Sequence, residues 1–297
     1  MGLFIKKDYQ WRGELKNQGI ICKKQAEHTL RIGIINLMPK AEEYEFNLLR
    51  PLGLSDTIVE PVFIKLKNHI YSSSDKNHLN ENYITFSEAA RKNLHGLILS
   101  PAPVEGLDFT EVTYWEELLK ILAFARKNYA SVLGLCWGGL VLARLLGIKK
   151  IMYENKLFGV YESKNLNINH PITGSISKRF FCPQSRHAGV SQKHLMYFND
   201  MGIINLLAYC KDAGYFIFET PDHKFVMNLA HPEYHTTRLI EEYQRDMKKG
   251  RDDVLKPVNI DISNPVNTWE DDAISFFTQW VEYIKNITRE KEIVVRH

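Results

Sequence analysis

The chain has 297 residues, of which 44% are hydrophobic and 25% charged, with 17 Gly and 11 Pro. That length suffices for a large core in one or two domains, and the composition excludes disordered, collagen-like and low-complexity classes. Lys and Arg number 38 against 35 acids, a net charge of +3, so no basic excess predicts a nucleic-acid partner, although a modest positive site for an anionic ligand remains compatible.

The first residues, MGLFIKKDYQ, are charged and lack the apolar run of a secretory signal. Residues 1–30 are polar and weakly patterned, and are expected to lie as an extension over a single domain spanning 31–297. Arg31 to Leu37 is a continuous apolar run stopped by Met38-Pro39, which predicts a strand covered on both faces, as in a parallel sheet. Lys40 to Leu52 predicts a helix, Ile58 to Leu66 a strand, and Ser72 to Asn82 a polar loop. A helix over Ser87 to Asn93 and a buried strand over Gly96 to Ser100 follow. Thr113 to Lys127 has helical spacing, and Val132 to Leu135 is a strand running into Cys136. Gly138 to Leu146 predicts a helix closed by Gly147. This alternation implies βαβ units and a mostly parallel sheet flanked by helices.

Shorter strands, some antiparallel, are expected at Leu157 to Tyr161, Ala188 to Val190, Ile203 to Cys210, Tyr215 to Glu219 and Phe225 to Leu229. Thr236 to Lys249 and Asp271 to Ile287 predict helices. The most apolar window, Ser131 to Ile148, is broken by Arg144, so no membrane span is expected. Cys22, Cys136, Cys182 and Cys210 form no C-x-x-C pair, consistent with reduced thiols in a cytoplasmic protein.

Gly134-Leu135-Cys136-Trp137-Gly138-Gly139 joins a buried strand to a helix. It places Cys136 at the carboxyl end of a strand, where open α/β sheets carry their sites. The helix N-terminus favours a thiolate and offers amides to an oxyanion. These residues alone leave a core cysteine beside a glycine turn as the alternative. A nucleophilic Cys needs a base, and the base an orienting acceptor. His231-Pro232-Glu233 supplies both, since Pro232 forces His231 out of its strand. Zinc on His231 and His235 is disfavoured: in the H-E-x-x-H motif a Glu stands where Pro232 stands here.

A Cys elbow followed by a distant His-Pro-Glu resembles the class I glutamine amidotransferase-like fold, a flavodoxin-like architecture. Further segments are narrower: Asn36-Leu-Met-Pro-Lys40, Ala102-Pro-Val-Glu105, Tyr114-Trp115, Lys156-Leu-Phe-Gly-Val-Tyr-Glu162, Ser185-Arg186, His231-Pro-Glu-Tyr234 and Glu242-Tyr-Gln-Arg-Asp246. In this order they resemble the homoserine O-succinyltransferase/O-acetyltransferase family of methionine biosynthesis, over roughly residues 31 to 287.

The resemblance implies that Cys136 takes an acyl group from acyl-CoA as a thioester in a ping-pong reaction, with His231 as base and Glu233 orienting it. It implies an oxyanion site at the Trp137 amide and in the loop after the Gly96 strand. Pro101 and Pro103 carry no N–H, so that second donor is Ala102, Val104 or Glu105, with Val104 preferred. Lys156 becomes the acyl-binding lysine, Ser185 a substrate-contacting serine and Arg245 the substrate arginine, for the acceptor's carboxylate. Glutamate at position 105 accompanies acetyl-CoA in this family and glycine accompanies succinyl-CoA, so Glu105 points to acetyl-CoA as co-substrate. No permanently bound cofactor or metal is implied.

The acceptor is expected to be L-homoserine, with L-serine as the alternative, because the family's usual text is altered near the pocket. Its usual x-K-I-E-T-E is Lys40-Ala-Glu-Glu-Tyr-Glu45 here, and its T-G-A-P is Ser100-Pro-Ala-Pro103. Homoserine O-succinyltransferase and, more distantly, a glutaminase or hydrolase are the other activities compatible with the triad. A homodimer is left open.

Overall fold

A computed structural model describes residues 2–20, 29–251 and 253–295, with side chains described as far as residue 290. Cys22 lies outside the described residues. The N-terminal extension forms helix α1 (Arg12–Asn17). It places Leu3, Tyr9, Leu15 and Ile20 in the main core, and Leu3 bridges Val59 in parallel.

The first half then runs β1 (Leu30–Ile35), α2 (Ala41–Gly53), β2 (Val59–Lys65), α3 (Lys76–Asn82), β3 (Tyr83–Thr85), α4 (Phe86–Ala89), β4 (Gly96–Leu99), α5 (Trp115–Asn128), β5 (Ser131–Leu135) and α6 (Trp137–Leu145). The second half runs β6 (Lys150–Asn165), β7 (Arg179–Val190), α7 (Gln192–Asp200), β8 (Asn205–Cys210), β9 (Gly214–Glu219), β10 (Phe225–Asn228), α8 (Arg238–Lys248) and α9 (Glu270–Val295). The strands form one sheet in the order β3-β2-β1-β4-β5-β10-β9-β8-β6-β7. From β3 to β10 the pairs are parallel, and from β10 to β7 they are antiparallel.

This is the mostly parallel, helix-flanked sheet expected from the alternation of elements. Strands β4, β5 and β10 are buried at every position, which explains their unbroken apolar runs. Helix α9 closes one face with Phe276, Phe277, Trp280, Val281 and Ile284, all buried, and Trp280 Nε1 donates to Ser131 Oγ at 3.1 Å. No helix among the described residues is long and apolar enough to cross a membrane.

Three sequence expectations are corrected. Ser72 to Asn82 is not all loop, because Asp75 accepts from the His78 amide at 2.8 Å and caps α3, whose single buried residue is Leu79. The helix expected over Ser87 to Asn93 is one α turn and a 3₁₀ turn, stopped by Asn93 at φ 51°. The short strands at Leu157 to Tyr161 and Ala188 to Val190 are fragments of β6 (16 residues) and β7 (12 residues). Half of β6 is a solvated ribbon with polar residues on both faces and a register shift between Met152 and Leu157, so apolar alternation could not mark its length.

Candidate active site

Cys136 follows β5 directly and caps α6 with φ 47° and ψ −109°. A non-glycine residue held there is strained by roughly 1–3 kcal/mol and persists only where its surroundings enforce it. Two glycines make that possible. A Cβ on Gly138 would stand 2.3 Å from the Leu99 carbonyl oxygen, and one on Gly134 2.5 Å from that of Gly138. The first turn of α6 is thus pressed against β4 and β5. The Cys136 amide donates to the Asn228 carbonyl at 2.8 Å, which fixes the elbow to β10. Trp137 opens the helix, where an amide has no intrahelical acceptor.

Strand β10 ends at Asn228, and the chain turns so that Asn228 Oδ1 accepts from the Ala230 amide at 3.0 Å. The His231 amide then donates to the Pro183 carbonyl of β7 at 2.9 Å. His231 is buried, and its Nδ1 lies 2.8 Å from Glu233 Oε1. Its Nε2 makes no hydrogen bond of full geometry, while Cys136 is its leading charge partner. Burial alone would lower the His231 pKa, but the charges of Cys136 and Glu233 overcome it and hold the imidazole well above its ordinary value. Tyr234 stacks on the ring with centroids 4.1 Å apart.

A cavity of about 580 Å³ opens over Cys136 and His231, and Val104, Glu105, Lys156, Ser185 and Arg245 also line it. Residues from β6, β7, α8 and the loop after β4 are therefore brought to the elbow. Of the sequence-predicted site residues, Trp137 and Glu233 are outside this lining. Glu233 stands behind His231, and Trp137 packs inward, fully buried. Glu105 Oε1 accepts from the His187 amide at 2.9 Å. Burial raises its pKa, opposed by that hydrogen bond and by the charges of His231, Lys156 and Arg186.

Lys156 Nζ lies 3.4 Å from Glu242 Oε2 and 3.3 Å from Asp246 Oδ2, and 4.0 Å from the centre of the Phe158 ring. Ser185 Oγ donates to Glu242 Oε2 at 2.5 Å, and Tyr234 OH to Glu242 Oε1 at 2.7 Å. Burial would raise the Glu242 pKa, yet Lys156 and Arg238 pull it down to about 2. Arg245 is half-exposed and paired with Asp246 at 2.8 Å.

Sequence reasoning missed Tyr44, Tyr234, Glu242 and Asp246 as parts of this arrangement. The signal for two of them is the spacing of Leu239, Glu242 and Asp246 along α8. Those positions share one helical face, and all three are buried, so the carboxylates require a buried cation.

His235 faces away from His231, with Nδ1 3.0 Å from Asn47 Oδ1 and Nε2 3.1 Å from Glu241 Oε1. Among the described residues, His170, Glu219 and His223 are spaced as metal ligands would be. His170 Nδ1 accepts from the amides of Ile172 and Thr173 at 3.2 and 3.3 Å. That assigns its proton to Nε2, which points at Glu219 Oε1 from 2.7 Å, so the ring donates where a metal would need a lone pair.

A family model described as homoserine O-succinyltransferase matches residues 3–290. A homoserine O-acetyltransferase of Bacillus subtilis (strain 168) is 35% identical over 257 residues, covering 85% of this chain and 84% of that protein. One from Lachnospira eligens is 32% identical over 295 residues, covering 95% and 94%. Among solved structures, a glutamine amidotransferase from Thermotoga maritima superposes with a TM-score of 0.56 at 14% identity, over 88% of this chain and 99% of that one. One from Methylobacillus flagellatus gives 0.53 at 10%, over 87% and 96%. These two share the amidotransferase-like fold with this chain.

Proposed function

The chain belongs to the homoserine O-succinyltransferase family, and on that premise we propose that it transfers the acetyl group of acetyl-CoA to the hydroxyl of L-homoserine through a thioester on Cys136. The observation that carries this proposal is the gathering of Cys136, His231, Glu105, Lys156, Ser185 and Arg245 around one cavity. The names of its relatives, homoserine O-acetyltransferases in Bacillus and Lachnospira, support the same donor and acceptor.

In the first half-reaction Cys136 Sγ attacks the thioester carbonyl of acetyl-CoA, and the amides of Trp137 and Val104 take the oxyanion. The C–S bond to CoA breaks, and CoA leaves with the proton held by His231. In the second, His231 removes the proton from the acceptor hydroxyl, whose oxygen attacks the acetyl-Cys carbonyl. Cys136 leaves as O-acetylhomoserine forms. Glu233 holds the imidazole with Nδ1 protonated, so that Nε2 does the proton transfer. Lys156 serves the acyl group and Ser185 contacts the substrate from the cavity wall, and Arg245 pairs with the acceptor's carboxylate as a planar fork. Acetyl-CoA is a co-substrate here, and the scheme needs no permanently bound cofactor. Free thiols at Cys136, Cys182 and Cys210 suit a reducing cytoplasm.

The test is CoA release, with product identified by mass, from acetyl-CoA and succinyl-CoA, each with homoserine and with serine. Acetyl-CoA with homoserine should give the highest kcat/KM. A preference for succinyl-CoA or for serine, or CoA release with no acylated amino acid, would overturn the assignment.

A further inference from the structure

Glu233 Oε1 receives two donors. His231 Nδ1 is 2.8 Å away, and Tyr44 OH, from α2, is 2.5 Å away. The second oxygen, Oε2, is buried without a hydrogen-bond partner, so both bonds converge on one atom. Tyr44 is 3% exposed. Burial, reinforced by the Glu233 charge, raises its pKa well above the ordinary tyrosine value, so it is a neutral donor at any working pH. It lies in Lys40-Ala-Glu-Glu-Tyr-Glu45, a stretch outside the Cys, His and Glu motifs.

We propose that Tyr44 is a positioning residue of the acyl transfer, which holds Glu233 through the same carboxylate oxygen that meets His231 and moderates how strongly that carboxylate attracts the imidazole proton. This rests on the assignment of His231 as base and adds a member behind Glu233. A carboxylate shared between two donors is anchored in orientation. It is also less basic toward either donor than one bonded to a single donor. Tyr44 thus sets both the aim of the imidazole and the pH range in which Nε2 gives up its proton.

The charged and titratable groups that face this pair are few. Cys136 faces His231 from the elbow, and Glu105 from the loop after β4. Tyr234, Arg238 and Glu242 approach from α8 and the turn before it. Cys182 of β7 lies within range of Glu233. Removing the Tyr44 hydroxyl leaves all of these in place.

Tyr44→Phe keeps the ring and its packing. With the hydroxyl gone, Glu233 attracts the His231 proton more strongly, so the limb of the kcat/KM profile carried by His231 should move up by about 0.5 pH unit. Both half-reactions should slow by roughly 5- to 50-fold through kcat, with little change in KM, because the imidazole serves in each. Rapid-quench mass measurement of acetyl-Cys136 reads the first half-reaction, and a thermal melt with circular dichroism checks that the fold is intact. A Tyr44→Phe enzyme with the wild-type profile and both rates within twofold overturns the role of Tyr44 alone. A wild-type enzyme that forms no acetyl-Cys136 overturns the underlying assignment instead.

Discussion

Glu105 is the residue on which donor choice should turn, and Glu105→Gly is the perturbation that tests it. Its carboxyl lines the cavity that holds Cys136 and is oriented by the His187 amide at 2.9 Å. A succinyl thioester would bring a second carboxylate toward it. At about 5 Å, two like charges repel by about 0.8 kcal/mol at the dielectric of water and about 3 kcal/mol at an effective dielectric of 20. Tenfold per 1.4 kcal/mol turns this into about 4-fold to about 200-fold in favour of acetyl-CoA. Glu105→Gly should remove the repulsion and the bulk together, whereas Glu105→Gln should remove the charge alone. The assay is kcat/KM for CoA release with each donor at saturating homoserine, between pH 5.5 and 8.5. Because burial raises the Glu105 pKa, its charge is lost at a higher pH than that of an ordinary carboxylate, and the series is carried down in pH until it is. The wild-type preference should shrink there while that of Glu105→Gln stays level. A wild type that prefers succinyl-CoA, or a donor ratio that Glu105→Gly leaves unchanged, would refute the argument.

Incubation with acetyl-CoA should add one acetyl group to the intact mass, absent in Cys136→Ala, and His231→Ala should lower the rate by roughly 10²–10⁴-fold. Gly138→Ala should destabilise the fold by about 1–3 kcal/mol, read as a lower melting temperature, because its Cβ would meet the Leu99 carbonyl at 2.3 Å. The Glu219 hydrogen bond raises the His223 pKa against burial. The stability it adds is full below the ordinary histidine pKa and fades as pH rises through the raised one. His223→Ala should therefore lower the melting temperature more at pH 6 than at pH 9, and an equal loss at both would exclude the ionic pairing.

What could be read in the sequence divides along the sheet. The parallel half was legible because its strands are buried on both faces, so Arg31 to Leu37 and Val132 to Leu135 stand out as apolar runs ending at Pro39 and Cys136. The elbow was legible for a local reason: Gly134, Cys136 and Gly138 adjoin in the chain, and the constraint that needs them is a turn. His231 was marked by Pro232. Lys156, Ser185 and Arg245 offered no such local sign. Their convergence depends on β6 pairing with β7 and on α8 lying beside both, contacts between residues far apart in sequence. Only resemblance to a family pointed to them.

The residues that escaped notice are polar groups whose partners lie on other elements. Glu242 is an acid on a helix rich in Glu, Arg and Lys, yet it is 5% exposed and accepts from Ser185 and Tyr234. Lys156 faces it from β6 at 3.4 Å. Tyr234 ties the two halves of the site together, with its ring on His231 and its hydroxyl on Glu242. A shift of α8 would thus reach His231 through Tyr234 as well as the cavity wall at Ser185 and Lys156. In the proposed reaction this side chain would couple the base to acceptor binding. A Tyr234→Phe enzyme keeps the stacked ring but cuts the bond to Glu242, so it should raise KM for the acceptor while leaving formation of acetyl-Cys136 nearly intact. A loss confined to thioester formation would place Tyr234 with the base alone.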